Sequence, residues 1–155
     1  MLQDEYNSTQ NNANILAVRD DEWPYVGAED ALAFTHLHFD TDTGELYDAD
    51  IEVNSVIQRY SVSEPVNGAD LDSVLTHEVG HLLGLSHTLV TDATMYASYT
   101  EGTDSLRTLT DDDVHGVCDL SARSRAEPNQ LLTAPWVLGS VERTATAELG
   151  HQRRH

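Results

Sequence analysis

The clearest periodicity in the chain runs from Leu71 to Leu83, where apolar residues recur at Leu71, Val74, Leu75, Val79, Leu82 and Leu83. That spacing predicts a helix with one apolar stripe turned toward a core. Asp70 suits the N-cap, Asp72 puts a negative charge in the first turn where the helix dipole favours it, and Gly84 ends the helix. Upstream the period shortens. Ile15 to Val18 is a brief apolar run, broken by Asp20-Asp21-Glu22-Trp23-Pro24, and predicts a short strand. Residues 31–39 (ALAFTHLHF) and 45–53 (ELYDADIEV) flank the turn signal Asp40-Thr41-Asp42-Thr43-Gly44. They predict a β-hairpin with Leu46, Ile51 and Val53 directed into the core. Residues 54–69, with Pro65, Asn67 and Gly68, predict a loop, and 88–108 show no period. A second helix is expected from Thr110 as N-cap, through Asp111, Asp112 and Asp113 in its first turn, to about Leu120. Residues 1–14 are a polar lead-in and 121–155 a polar, proline-containing tail expected to be poorly ordered, which leaves 15–120 as one domain.

Composition narrows the partners. The chain has 155 residues and 39% hydrophobic content, enough for one domain with a core. Its formal net charge is −19 and it has no lysine. Residues 1–120 carry 24 acids against three arginines, whereas 121–155 carry five arginines against three acids. An acidic body repels phosphates and anionic lipid, so neither nucleic acid nor a membrane is an expected partner. The acidity reads first as a solvated surface and second as carboxylates for Ca2+, a cation that prefers oxygen ligands. Asp40-x-Asp42-x-Gly44 lacks the spaced acids and terminal glutamate of an EF-hand loop and is read as a turn. Cys118 is the sole cysteine, so no disulfide closes within the chain. No signal peptide is visible.

The chemistry lies at the end of the first helix, in His77-Glu78-Val79-Gly80-His81-Leu82-Leu83-Gly84-Leu85-Ser86-His87. Histidines four apart project from one helical face and can ligate one zinc ion. Glu78, beside the first ligand, is placed to reach a water on the metal. Gly84 lets the chain leave the helix sharply and return His87 as a third ligand. Three protein ligands leave one coordination position open, the arrangement of catalytic rather than structural zinc. In this reading Glu78 is the general base that takes a proton from the water and passes it to the departing amine. The competing reading, surface histidines on an ordinary amphipathic helix, leaves the joint register of Glu78, Gly84 and His87 without a reason.

The eleven-residue motif resembles that of the metzincin clan of zinc peptidases, and the chain looks most like its matrixin family, especially the bacterial members. Thr88 follows the third histidine where matrixins usually have serine. Ala93-Thr94-Met95-Tyr96 is similar to the Met-turn, and Tyr99 falls where the family has the tyrosine of the S1′ pocket wall. Residues 109–120 (LTDDDVHGVCDL) resemble the matrixin C-terminal helix, whose paired aspartates match Asp112 and Asp113 and secure it against the Met-turn. The resemblance implies an α+β, zincin-like fold: a twisted mixed β-sheet packed on an active-site helix and a C-terminal helix. It implies one catalytic Zn2+, a protein or peptide substrate paired with the cleft's edge strand, and secretion. Ser73, one turn before His77, matches a position that can plug the S1′ pocket, and its small size implies an open one. The family's first strand and long helix do not fit into the 30 residues before Ala31, so apolar surface beside the sheet is expected to be uncovered. Ala97 replaces a family proline, and His36 and His38 are read as strand residues rather than metal ligands. A zinc-binding but inactive domain, or an exopeptidase, stands as the alternative to an endopeptidase.

Overall fold

The computed structural model describes residues 6–9, 12–63, 68–125, 146–149 and 153–154. The short apolar run forms β1 (Leu16–Arg19), and the expected hairpin forms β2 (Ala33–Phe39) and β3 (Leu46–Asn54). β2 and β3 are antiparallel, with Ala33 opposite Val53 and Thr35 opposite Ile51, while β1 lies parallel to β3. The turn between β2 and β3 is local. Asp40 Oδ1 accepts the N–H groups of Asp42 and Thr43 at 2.8 and 2.7 Å, and Gly44 has φ 74°. These bonds hold the Asp40 carboxyl below its usual pKa.

The expected loop after β3 contains one small pairing: β4 (Tyr60–Ser61) lies parallel to β5 (Ala69–Asp70). β5 leads directly into helix α1 (Leu71–Leu82), whose N-cap Asp70 accepts the Ser73 N–H. Beyond α1 come β6 (Ser98–Tyr99), a 3-10 turn at Ser105–Arg107, and helix α2 (Asp111–Arg125), five residues longer than expected. Two short strands follow in the tail, β7 (Thr146–Leu149) and β8 (Arg153–Arg154). The main sheet has the order β1-β3-β2-β7, and β8 pairs with β6 in a separate two-stranded sheet. Residues 126–145, 150–152 and 155 of the expected disordered tail, and 1–5 and 10–11 of the lead-in, lie outside the described residues.

One face of the β2–β3 hairpin packs on α1. The core cluster joins Leu32, Ala33, Ile51 and Val53 of the sheet side to Val74 of α1, with Ala69, Tyr99 and Leu106 closing it. Leu46 is corrected: it begins β3 at the turn end of the hairpin, opposite Phe39, and is 41% exposed. The apolar stripe of α1 holds in part: Val74 is buried and Leu71, Leu75 and Leu82 pack against the core, but Val79 and Leu83 are 44% and 54% exposed. The fully buried residues of the helix are Ser73, Val74, His77, Glu78, Gly80 and His81. On β1, Leu16 and Val18 are both more than half exposed.

Candidate metal centre

Asp70 anchors the start of the helix that carries the site. Its carboxylate caps Ser73 and receives two bonds from Arg107, from Nε at 2.8 Å and Nη2 at 2.6 Å. Arg107 thereby ties the 3-10 turn to the head of α1 and lowers the Asp70 pKa. Tyr99 adds a second tie: its hydroxyl accepts the Asp70 N–H at 2.9 Å and donates to Thr103 O. The far end of α1 closes with a Schellman motif. Gly84, at φ 97°, donates to His81 O at 2.8 Å, and Leu85 N donates to Gly80 O at 2.9 Å. This reversal carries the chain back over the helix and delivers His87.

The Nε2 atoms of His77, His81 and His87 form a near-equilateral triangle with sides of 3.1, 3.1 and 3.2 Å. The opposite ring nitrogens fix the orientation. His77 Nδ1 donates to Thr94 O at 2.7 Å and His81 Nδ1 donates to Leu85 O at 2.8 Å. With Nδ1–H committed in this way, the Nε2 of each ring is a lone pair, and a cation satisfies such converging lone pairs. Tetrahedral zinc with bonds of about 2.0–2.1 Å needs ligand nitrogens roughly 3.3–3.4 Å apart, so the triangle fits it to within a few tenths of an ångström. Among the described residues this trio is the cluster able to hold a metal ion. Burial first, and then the nearby histidine charge, lowers the His77 pKa to about 3, and burial lowers that of His81 to about 4. Both rings are therefore neutral at physiological pH, the form that ligates metal.

Glu78 is fully buried beside the triangle. Its Oε2 accepts the Thr35 hydroxyl at 2.7 Å, and its Oε1 has no hydrogen-bond partner among the described residues. Burial raises its pKa to about 8, against a smaller opposing effect of Thr35. A divalent charge on the adjacent histidines acts in the opposite sense and favours the carboxylate. Thr35 is a contributor that the motif does not reveal. Its signal is weak but present: Ala33, Thr35 and Leu37 share one face of β2, and Thr35 is the polar member of that buried set.

The floor is built from Met95 and α2. Met95 is 3% exposed, and a Cβ on Gly80 would meet its Sδ at 2.2 Å, so Gly80 lets the sulfur lie directly against the helix between the two ligand turns. Asp113, also buried, accepts the Thr94 and Met95 N–H groups at 3.0 Å each and the Thr110 N–H at 2.8 Å. Burial opposes ionisation of Asp113, but these bonds outweigh it and lower the pKa. Asp112 is exposed, so of the aspartate pair Asp113 makes the tie to Thr94 and Met95. A relay results, in which Asp113 fixes Thr94 and the Thr94 carbonyl fixes His77. Ser73, one helical turn before His77, and Tyr99 are both fully buried, with Tyr99 part of the core cluster. His36 bonds to the Tyr25 hydroxyl at 2.7 Å and His38 stacks on Tyr6, so both remain strand residues away from the trio.

Residues 7–122 match the family model for matrixins. Over 81 residues, 52% of this chain, it is 38% identical to metalloendoproteinase 2-MMP of Arabidopsis thaliana and 40% identical to stromelysin-1 of Mus musculus. It is 38% identical over 85 residues, 55% of this chain, to karilysin of Tannerella forsythia. The aligned parts cover 19%, 17% and 14% of those three relatives, so the chain matches less than a fifth of each.

Proposed function

This chain belongs to the matrixin family, and on that premise we propose that it is a zinc-dependent endopeptidase domain that hydrolyses peptide bonds within proteins. The observation that carries the reading is the triangle of Nε2 atoms on His77, His81 and His87, with the buried Glu78 carboxylate next to it. A zinc ion held by the three histidines supplies Lewis acidity to the scissile carbonyl and acidifies an attacking water. The chain's own residues do the rest. Glu78 takes the proton from the water at Oε1 and returns it to the leaving amine. Thr35 holds Oε2, which leaves the other oxygen to do this work. The Thr94 and Leu85 carbonyls keep the His77 and His81 rings turned inward. Met95 supports the centre from below.

An extended substrate adds to the outer edge of β2, so that its carbonyl lies above the histidines. Ser73, His77 and the 95–99 segment with Tyr99 wall the S1′ pocket in this reading, and 100–108 form its floor. With a small residue at Ser73 the pocket takes Leu, Ile, Met or Phe, each worth roughly 1.5–3 kcal/mol when buried. A charged P1′ side chain would lose more in desolvation than it gains. Export from the cell follows from the family; no helix among the described residues is long and apolar enough to cross a membrane.

The test is a peptide-library digest by zinc-loaded protein beside Glu78→Ala. The variant keeps its zinc and loses at least ~10²–10⁴-fold in rate. Cleavage that survives the substitution removes Glu78 from the mechanism. Ser73→Arg moves the P1′ preference to smaller residues, and an unchanged profile discards the pocket assignment.

A further inference from the structure

The outer edge of β2 and the edge of β6 already have an occupant, and it is the chain's own C-terminal segment. β7 lies antiparallel along β2, with Thr35 opposite Leu149, His36 opposite Glu148, Leu37 opposite Ala147 and His38 opposite Thr146. β8 lies parallel along β6, with Ser98 opposite Arg153 and Tyr99 opposite Arg154. Four peptide units separate Leu149 from Arg153, so their Cα atoms are at most about 14 Å apart. The two edges therefore face one slot, narrow enough for a single extended chain to touch both sides.

That slot borders the metal centre on both sides. Thr35, paired with Leu149, holds Glu78 through its hydroxyl. Ser98 and Tyr99 lie three and four residues beyond Met95, and Tyr99 bonds to the head of the zinc-motif helix. At the bordered centre His77 and Glu78 have no exposed surface and His81 has 1%, while His87 is exposed. Charge agrees with the pairing. β8 consists of Arg153 and Arg154, and it pairs with a body whose residues 1–120 hold 24 acids and three arginines.

We propose that the segment carrying β7 and β8 docks in cis along the β2 and β6 edges and competes there with peptide substrates. This rests on the peptidase reading only for its consequence, not for its geometry. The twenty residues between α2 and β7 make docking intramolecular, and linkers of that order give effective concentrations near the millimolar range. A substrate must displace the segment, so the cost falls on substrate binding rather than on the chemical step. Because the attraction includes opposite charges, salt weakens it.

The test compares the full chain, zinc-loaded, with a full-length Ala147→Pro/Glu148→Pro variant. In an antiparallel ladder adjacent residues alternate between facing the partner and facing away, so two successive prolines remove at least one ladder donor. Two readouts are taken: amide hydrogen exchange at Thr35–His38 and Ser98–Tyr99, and KM and kcat on a quenched peptide. The expected result is faster exchange at both edges in the variant, and an apparent KM about tenfold or more higher in the intact chain with kcat unchanged. A synthetic peptide of residues 144–155, added in trans, competes with substrate in the variant. Equal exchange at those amides in the two proteins overturns the proposal, as does an equal KM in two active proteins. Faster exchange in the variant with no peptide cleaved by either protein upholds the docked segment and overturns the peptidase reading instead.

Discussion

The two helices differ in how much polar surface they bury. α2 turns one narrow stripe inward, Asp113, Gly116, Val117 and Leu120, and leaves the rest of its first ten residues exposed. α1 buries Ser73, His77, Glu78 and His81 while exposing Val79 and Leu83. An ordinary amphipathic helix hides apolar residues and exposes polar ones. α1 departs from that rule, and its buried polar residues form the candidate site. Burial of polar groups is costly unless each has a partner, which is why so many distant residues converge on α1. Thr35, Thr94, Leu85, Arg107 and Tyr99 each bond to it.

The contrast can be broken most sharply with one histidine from each helix. His81→Ala removes one ligand of the trio, and zinc falls from one ion per chain to a small fraction. His115→Ala, at an exposed position on α2, leaves it unchanged. Elemental analysis of the two purified variants checks this, and equal zinc in both rejects the assignment of the trio. Glycines give the next largest difference. Gly80→Ala drives a methyl to 2.2 Å from the buried Met95 sulfur and is expected to destabilise by about 1–3 kcal/mol. Gly116→Ala meets only the Leu85 Cδ2 tip at 2.8 Å, and the gain in helix propensity of about 1 kcal/mol offsets the shift it asks for. Urea melts separate the two; equal losses would mean that Met95 yields freely.

The smallest effect concerns the caps. Asp70→Ala should cost about 0.5–2 kcal/mol near neutral pH through loss of the N-cap. The Asp70 pKa is depressed by Arg107 in the folded state. Its contribution is therefore complete above the unfolded value of about 3.9 and disappears as pH falls through the lower folded value. The gap between wild type and variant in a pH series of melts should close below about pH 4, and a gap constant down to pH 2 contradicts the linkage.

The two helices also differ in what their sequences disclose. The convergence of His77, His81 and His87 was legible because they sit within eleven residues and their spacing has a chemical meaning at the end of one helix. The hairpin was legible from its alternation around Asp40–Gly44. The apolar stripe of α1 was legible in Leu71, Val74, Leu75 and Leu82 but not in the exposure of Val79 and Leu83, because nothing local says that histidine and glutamate outrank valine there. Thr35 was hidden because its bond to Glu78 spans 43 positions. Arg107 was hidden for a similar reason, being 37 positions from Asp70. β7 and β8 were missed because each is a few residues long and takes its structure from an edge elsewhere in the chain.

Those same separations give the site an order of assembly. His77 and His87 are ten residues apart, a loop of the size that closes in about 10–100 ns. The carbonyl that orients His77 comes from 17 positions away, and the hydroxyl that orients Glu78 from 43. Closing the longer loops carries the larger entropic cost, so the ligands are gathered first and the base is set last. The chain should thus gain the ability to capture its metal before it gains the ability to use it. Refolding in the presence of a chromogenic zinc chelator should show metal uptake ahead of the recovery of peptide cleavage, and simultaneous recovery would mean that the centre forms only with the finished sheet.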